Sequence, residues 1–282
     1  SGVECTEFVN ALMGDWDSQS HWAREADFRK QLVERATEQQ GLLLDLLSEQ
    51  PNYIVKGPAG SGKTFLALEQ ARRLASEGNS VALICYSRGL ARLLSRITLK
   101  WPVNERPEFV GSFEQLGEAL KVKSPTDAPD EWWETGLARE MIEAALHDFR
   151  SDNQKFRRYY AFVVDEAQDF NDSWWDVLDI LKRTDTGGLP TYIFGDASQR
   201  IFQRDGYERL GIPAFPLKQN LRNAKPIAEL VSNLFDAECE NVGLIGQTVR
   251  FFQTSSELAI DAADDIVEYL RQDEEGWRSS DI

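Results

Sequence analysis

Short apolar runs alternate with longer stretches of mixed polarity through most of this 282-residue chain. Tyr53-Ile54-Val55, Val81-Ala82-Leu83-Ile84-Cys85-Tyr86, Tyr160-Ala161-Phe162-Val163-Val164 and Thr191-Tyr192-Ile193-Phe194 are blocks of strand length without polar alternation. Such blocks are buried on both faces of a parallel sheet. Phe109-Val110-Gly111-Ser112-Phe113 reads as a shorter strand. Helical patterns separate them: 65–76, closed by Glu77-Gly78-Asn79, then 90–97, 132–149 and the amphipathic 174–181. Strand and helix in alternation predict an α/β fold, a parallel sheet with helices on both faces. Residues 8–48 read as mostly helical, with Thr37 and Gln40 at capping-box spacing, and Pro51-Asn52 breaks the chain before the first strand. Residues 115–157 read as a small helical insertion. Pro213-Ala214-Phe215-Pro216-Leu217 leads to a helix over 226–234 that opens on Pro226, and a last helix spans 258–270.

Composition changes this picture little. At 42% hydrophobic and 28% charged, the chain is an ordinary globular one. No apolar run is long enough to span a bilayer. Ser1-Gly2-Val3-Glu4-Cys5 has neither a basic start nor an apolar core, so it is not a secretion signal. A start at Ser1-Gly2 without Met fits a piece excised from a longer protein. Cys5, Cys85 and Cys239 make neither metal spacing nor a disulfide framework, which fits a reducing, cytoplasmic setting. Cys85 reads as a small buried hydrophobe, and the isolated His21 and His147 read as structural or surface residues. The net charge of −16 argues against a broadly basic nucleic-acid surface. Much of that charge lies from Asp236 onward, where only Arg250, Arg271 and Arg278 are basic. Arg88, Arg92 and Arg96 recur every four residues, stacking along one helix face as a possible phosphate-tracking strip or a solvated face.

The chemistry centres on Gly57-Pro58-Ala59-Gly60-Ser61-Gly62-Lys63-Thr64, which fits G-x-x-x-x-G-K-[ST] at every fixed position. It lies between a strand and a helix, the context in which this pattern binds phosphate. Its glycines let backbone N–H groups turn inward, and the helix adds the positive end of its dipole. Lys63 supplies a charge for the β- and γ-phosphates, and Thr64 a hydroxyl for Mg²⁺. The strand 160–164 delivers Asp165-Glu166-Ala167-Gln168-Asp169 to the edge where open α/β sheets bind ligands. Asp165 suits a metal, and Glu166 suits accepting a proton from an attacking water. Trp174 and Trp175 read as packing residues.

GPAGSGKT at 57–64, VVDEAQDF at 163–170, GDASQRIF at 195–202 and LKQNLRN at 217–223 together resemble the superfamily 1 DNA helicases of the UvrD/Rep type. The wording around them resembles the branch often fused to a nuclease-related domain. The resemblance covers 37–282 and implies a RecA-like P-loop NTPase sheet with a partial second RecA-like domain. Its divisions are a helical lead-in over 1–36, a first RecA-like domain over 37–216, and an incomplete second from 217 to 282. It implies that Gln40 reads adenine, that Gly57, Ala59, Gly60, Ser61, Gly62, Lys63 and Thr64 bind ATP, and that Thr64 and Asp165 hold Mg²⁺. It implies that Glu166 is the catalytic base, Gln199 senses the γ-phosphate, Arg222 reaches that phosphate, and Gln168 links nucleotide state to the nucleic-acid track. Ser87, Arg88, Ser112, Phe202 and Arg204 fall where the family contacts single-stranded DNA. Two positions depart from the family: Leu221 stands for an aromatic that stacks on adenine, and Arg204, beside Phe202, for an aromatic that stacks on a base. The expected function is the ATP-binding part of a helicase or single-strand translocase, with weak DNA binding in this fragment. The alternative is a nucleotide-gated switch for a partner such as a nuclease domain or subunit.

Overall fold

The computed structural model describes residues 41–150, 159–182, 190–196, 206–220, 223–235, 240–241, 249, 251 and 253–272. The apolar runs become parallel strands: β1 (Asn52–Lys56), β2 (Val81–Cys85), β3 (Phe109–Ser112), β4 (Ala161–Asp165), β5 (Thr191–Gly195) and β6 (Ala214–Pro216). They stand in the order β3-β2-β4-β5-β1-β6. Every residue of β2, β4 and β5 is buried, as uninterrupted apolar sequence requires. Two short strands, β7 (Gln219–Asn220) and β8 (Glu240–Asn241), pair in parallel apart from the main sheet.

Alternate side chains of each strand enter different cores, because successive Cβ atoms leave opposite faces. Ile54, Ile84, Phe162, Val164 and Ile193 join one; Val55, Leu83, Val163 and Phe194 join the other. The second core is covered by α1 (Lys63–Ser76), through Leu66, Ala67 and Leu74, by α2 (Arg88–Thr98), through Ala91 and Leu94, and by Leu44 and Leu47. The first is covered by α3 (Phe113–Ala119), α4 (Leu137–Arg150) and α5 (Asp172–Leu181). The helical stretch expected as an insertion therefore closes one face of the sheet, since Leu116, Leu137 and Met141 are all buried there.

The helix predicted over 132–149 starts as a π-helical turn, Trp132–Gly136, before α4. A π turn leaves backbone carbonyls out of register. Asn171 donates to the Trp133 carbonyl at 3.1 Å and Ser173 to that of Glu134 at 2.7 Å, tying this turn to the start of α5. Trp174 and Trp175 are core residues, as expected. The Trp174 ring lies 4.1 Å from Phe113 at an interplanar angle of 3°, and Phe170 meets its edge at 5.1 Å. Cys85 is buried, and loss of water pushes its thiol up to about 12, with Asp165 and Glu166 adding to the rise.

The chain groups into two compact units, 1–246 and 247–282. The 217–223 stretch, where a second domain was expected to open, lies in the first, as does α6 (Lys225–Phe235). The second holds α7 (Ala259–Gln272), with Ile260 and Tyr269 exposed. Among the described residues no helix is long and apolar enough to cross a membrane.

Trp174→Ala removes the centre of the aromatic stack and is expected to destabilise the fold by about 3–5 kcal/mol. Ser112→Ala, which removes only the α3 cap, should cost about 1 kcal/mol. Urea unfolding followed by far-UV circular dichroism measures both, and equal costs would contradict the assignment.

Candidate nucleotide-binding site

β1 ends at Lys56, and the chain turns through Gly57–Gly62 into α1. Gly60 and Gly62 take φ of +83° and +88°, a left-handed region in which a Cβ would be strained. Gly62 is the N-cap of α1, whose first turn carries no carboxylate to offset the positive end of its dipole. Lys63, only 6% exposed, donates to the Gly57 carbonyl at 2.7 Å and the Pro58 carbonyl at 3.1 Å. Its Nζ also lies 3.9 Å from Asp196 Oδ2. Ser61 is buried, and Thr64 is half-buried.

β4 delivers the carboxylates. Asp165 is 0% exposed, and among the described residues neither of its oxygens meets a partner with full hydrogen-bond geometry. Loss of water, and then the charge of Glu166, push its carboxyl up to about 7. Thr64, the Glu166 backbone and Lys63 stand close enough to pull the other way, without reversing the shift. Glu166 is half-buried and holds a φ of 52°, uncommon for a side-chain-bearing residue. Such a conformation costs about 1–2 kcal/mol and persists where the surroundings enforce it.

β5 stands between β1 and β4. The phosphate loop and the carboxylates are thus two strand spacings apart, about 10 Å, which leaves room for a phosphate group between them. Asp196, 4% exposed at the end of β5, occupies the middle. Its backbone N–H donates to Gln168 Oε1 at 2.9 Å, and Gln168 Nε2 donates to Glu166 Oε2 at 2.6 Å. Gln168 thereby joins the ends of β4 and β5 and holds Glu166 in place. On the other side of β1, Asn220 and Asn223 donate to the Ala59 carbonyl at 2.9 and 3.1 Å. Sequence reasoning assigned no role to Asp196, Asn220 or Asn223. Asp196 had a readable signal, a carboxylate ending a buried strand as Asp165 does. Asn220 and Asn223 lie inside the LKQNLRN stretch, and no spacing rule ties them to the phosphate loop.

Of the residues expected at a nucleic-acid track, Ser87, Arg88 and Ser112 are described. Ser87 is exposed, and its hydroxyl accepts from the Leu90 N–H as the cap of α2. Ser112 is 0% exposed, and its hydroxyl is engaged in a capping box with Gln115. Arg88 is exposed and paired with Glu114 at 2.5 Å and Glu118 at 2.9 Å, while Arg92 and Arg96 are exposed on α2. Gln40, Gln199, Phe202, Arg204 and Arg222 lie outside the described residues.

No group of three or more His, Cys, Asp or Glu that could hold a metal occurs among the described residues. A buried carboxylate whose oxygens meet no partner of full hydrogen-bond geometry among the described residues, beside the Thr64 hydroxyl, fits Mg²⁺, which keeps water and phosphate ligands and needs few from protein. Phosphate loop on β1, carboxylates on β4 and one strand between them define a RecA-like P-loop NTPase domain. A sequence profile of the AAA domain family (AAA_19) matches residues 40–204, and the chain belongs to that family. No curated protein matches it. Among solved structures, the PRRSV helicase is similar at 13% identity and a TM-score of 0.40, over 72% of this chain and 38% of that one. The chain thus spans well under half the length of that protein.

Asp165 ionises near its usual 3.8 when unfolded and near 7 when folded. Between these values the folded state keeps a proton that the unfolded state releases, so this group makes folding less favourable as pH rises. Asp165→Asn should therefore raise the melting temperature of the nucleotide-free protein at pH 8, and by less at pH 5. A gap that stays constant with pH would refute the burial argument.

Proposed function

We propose that the chain is the ATP-binding motor portion of a helicase or single-strand DNA translocase of the UvrD/Rep type. One observation carries the reading: Lys63, Thr64, Asp165 and Glu166 converge on a single sheet edge with β5 between the two pairs. That is the arrangement phosphoryl transfer needs, a cation and loop N–H groups on the phosphates, with carboxylates facing them.

Lys63 would exchange the Gly57 and Pro58 carbonyls for β- and γ-phosphate oxygens. Glu166, held by Gln168, would accept the proton of a water attacking the γ-phosphorus. The bond from that phosphorus to the β–γ bridging oxygen breaks, leaving ADP and phosphate. Bound Mg²⁺, held through Thr64 and Asp165, would neutralise charge developing on the phosphates. Gln199 and Arg222, by the family resemblance, would contact the γ-phosphate, and Gln40 the adenine. Gln168 would pass the state of Glu166 to the end of β5, and so toward a nucleic-acid track that includes Ser87, Arg88, Phe202 and Arg204.

A second reading is a nucleotide-gated switch that regulates a partner such as a nuclease. The net charge of −16 and the pairing of Arg88 with two glutamates favour it. Lys63→Ala is expected to abolish ATP binding under either reading. Glu166→Gln should keep ATP binding while lowering hydrolysis at least a hundredfold. Single-stranded DNA should stimulate the ATPase of residues 1–282 only weakly. Partner activation that survives Glu166→Gln would favour the switch, whereas loss of function with ATP still bound would favour the motor.

A further inference from the structure

β6 runs parallel to β1, and the Leu217 N–H donates to the Lys56 carbonyl at 2.6 Å. The two chains therefore leave the sheet side by side, β1 into the phosphate loop and β6 into 217–223. Their contact is tight. A Cβ on Gly57 would lie 2.9 Å from Leu217 Cβ, and one on Gly60 would lie 2.7 Å from Asn220 Oδ1 and 3.0 Å from Asn223 Nδ2. Asn220 is 0% exposed. Its Nδ2 donates to the Ala59 carbonyl, and its Oδ1 accepts from the Asn223 N–H at 2.9 Å. That bond fixes Asn223, whose own Nδ2 is the second donor to the same carbonyl. Both lone pairs of the Ala59 oxygen are thereby engaged.

We propose that Asn220, assisted by Asn223, is a positioning residue of the nucleotide site: the two side-chain amides hold the Ala59 carbonyl and so aim the Gly60 N–H at the bound phosphates. This deepens the nucleotide-binding reading and rests on it. No peptide bond among the described residues is cis, and in a trans peptide the carbonyl and the following N–H point in opposite directions. Fixing the Ala59 oxygen toward 217–223 sends the Gly60 N–H to the far side, into the loop. Gly60 has no Cβ to bias its backbone, so this peptide would otherwise flip at little cost. A flipped peptide would present a carbonyl oxygen to an anionic phosphate. The clasp excludes that state, and it does so from a segment about 160 residues away in sequence.

Asn220→Asp tests this directly. It keeps the size of the side chain and the acceptor for the Asn223 N–H, but replaces the amide donor with an oxygen facing the Ala59 oxygen. Binding of the fluorescent analogue mant-ADP with Mg²⁺ is measured on the full chain, and the Gly60 amide is followed by ¹⁵N–¹H spectroscopy. In the unsubstituted protein mant-ADP should move the Gly60 proton downfield. In Asn220→Asp affinity should fall about tenfold and the downfield shift should shrink. Asn223→Asp, at a more exposed position, should fall about threefold and serves if Asn220→Asp does not fold. Full affinity together with an undiminished Gly60 shift, in a folded variant, overturns the positioning role. So does a loss of stability that leaves the Gly60 shift intact. If the unsubstituted protein fails to bind mant-ADP, or binds it as well after Lys63→Ala, the nucleotide reading itself fails, and the two failures are distinct.

Discussion

Lys63 and Asp165 are opposite charges kept out of water at the ends of two strands that never touch. Burying an ionised group is costly unless it is paired or hydrogen-bonded. The chain meets the two costs differently. Lys63 has the carbonyls of its own loop, with Asp196 close by. Among the described residues Asp165 has no partner with full hydrogen-bond geometry, and burial raises its carboxyl toward neutral pH despite the nearby Thr64 and Glu166 backbone. The order β4-β5-β1 imposes this separation. Adjacent strands would bring lysine and carboxylate into direct contact and close the gap a phosphate needs. A low-dielectric setting makes each charge count for more toward a charged ligand, at the expense of stability.

The parts that bear on chemistry are held by rigid neighbours rather than by loops alone. Glu166 keeps its left-handed backbone because β4 ends just before it and Gln168 holds its carboxylate. Gln168 is in turn bonded to the backbone of Asp196, at the end of β5. The Phe113–Trp174 stack, with Phe170 edge-on to both rings, adjoins this turn, Phe170 following directly on Asp169. A shift of Glu166 would therefore disturb both the end of β5 and the aromatic core. Local strain at a carboxylate persists where several such contacts oppose its release.

The strands and the phosphate loop were legible because each is a local signal. Apolar blocks marked β1, β2, β4 and β5, and glycine spacing marked the loop. The roles of Trp174 and Trp175 followed from helical periodicity and hold in the structure. Strand order was not legible, since nothing local to β5 says that it enters between β1 and β4. The packing of α3 and α4 onto a sheet face was missed for a similar reason: periodicity shows that a helix has an apolar face, not what covers it. Ser112 illustrates a further limit. A serine after a strand suits a ligand contact and a helix cap equally, and Gln115 three residues on was the cue that favoured the cap. Asn220 and Asn223 act through a contact about 160 residues away, which no spacing rule reveals.

The acid excess of the chain raises the question of how a polyanion would approach it. Arg88 is engaged by Glu114 and Glu118, which at first argues against a phosphate contact. Magnitudes weaken that objection. The Arg88 side chain is 53% exposed, and solvent-exposed ion pairs contribute about 0–1 kcal/mol. A nucleic-acid phosphate, by contrast, releases condensed counterions when a cation neutralises it. Exchange of carboxylate for phosphate at Arg88 is therefore nearly free in energy, and Arg92 and Arg96 extend the same helix face. Whole-chain charge governs long-range steering and salt dependence. Any contact of a polyanion with α2 would be governed by those three arginines and by how firmly the α3 glutamates hold the first of them.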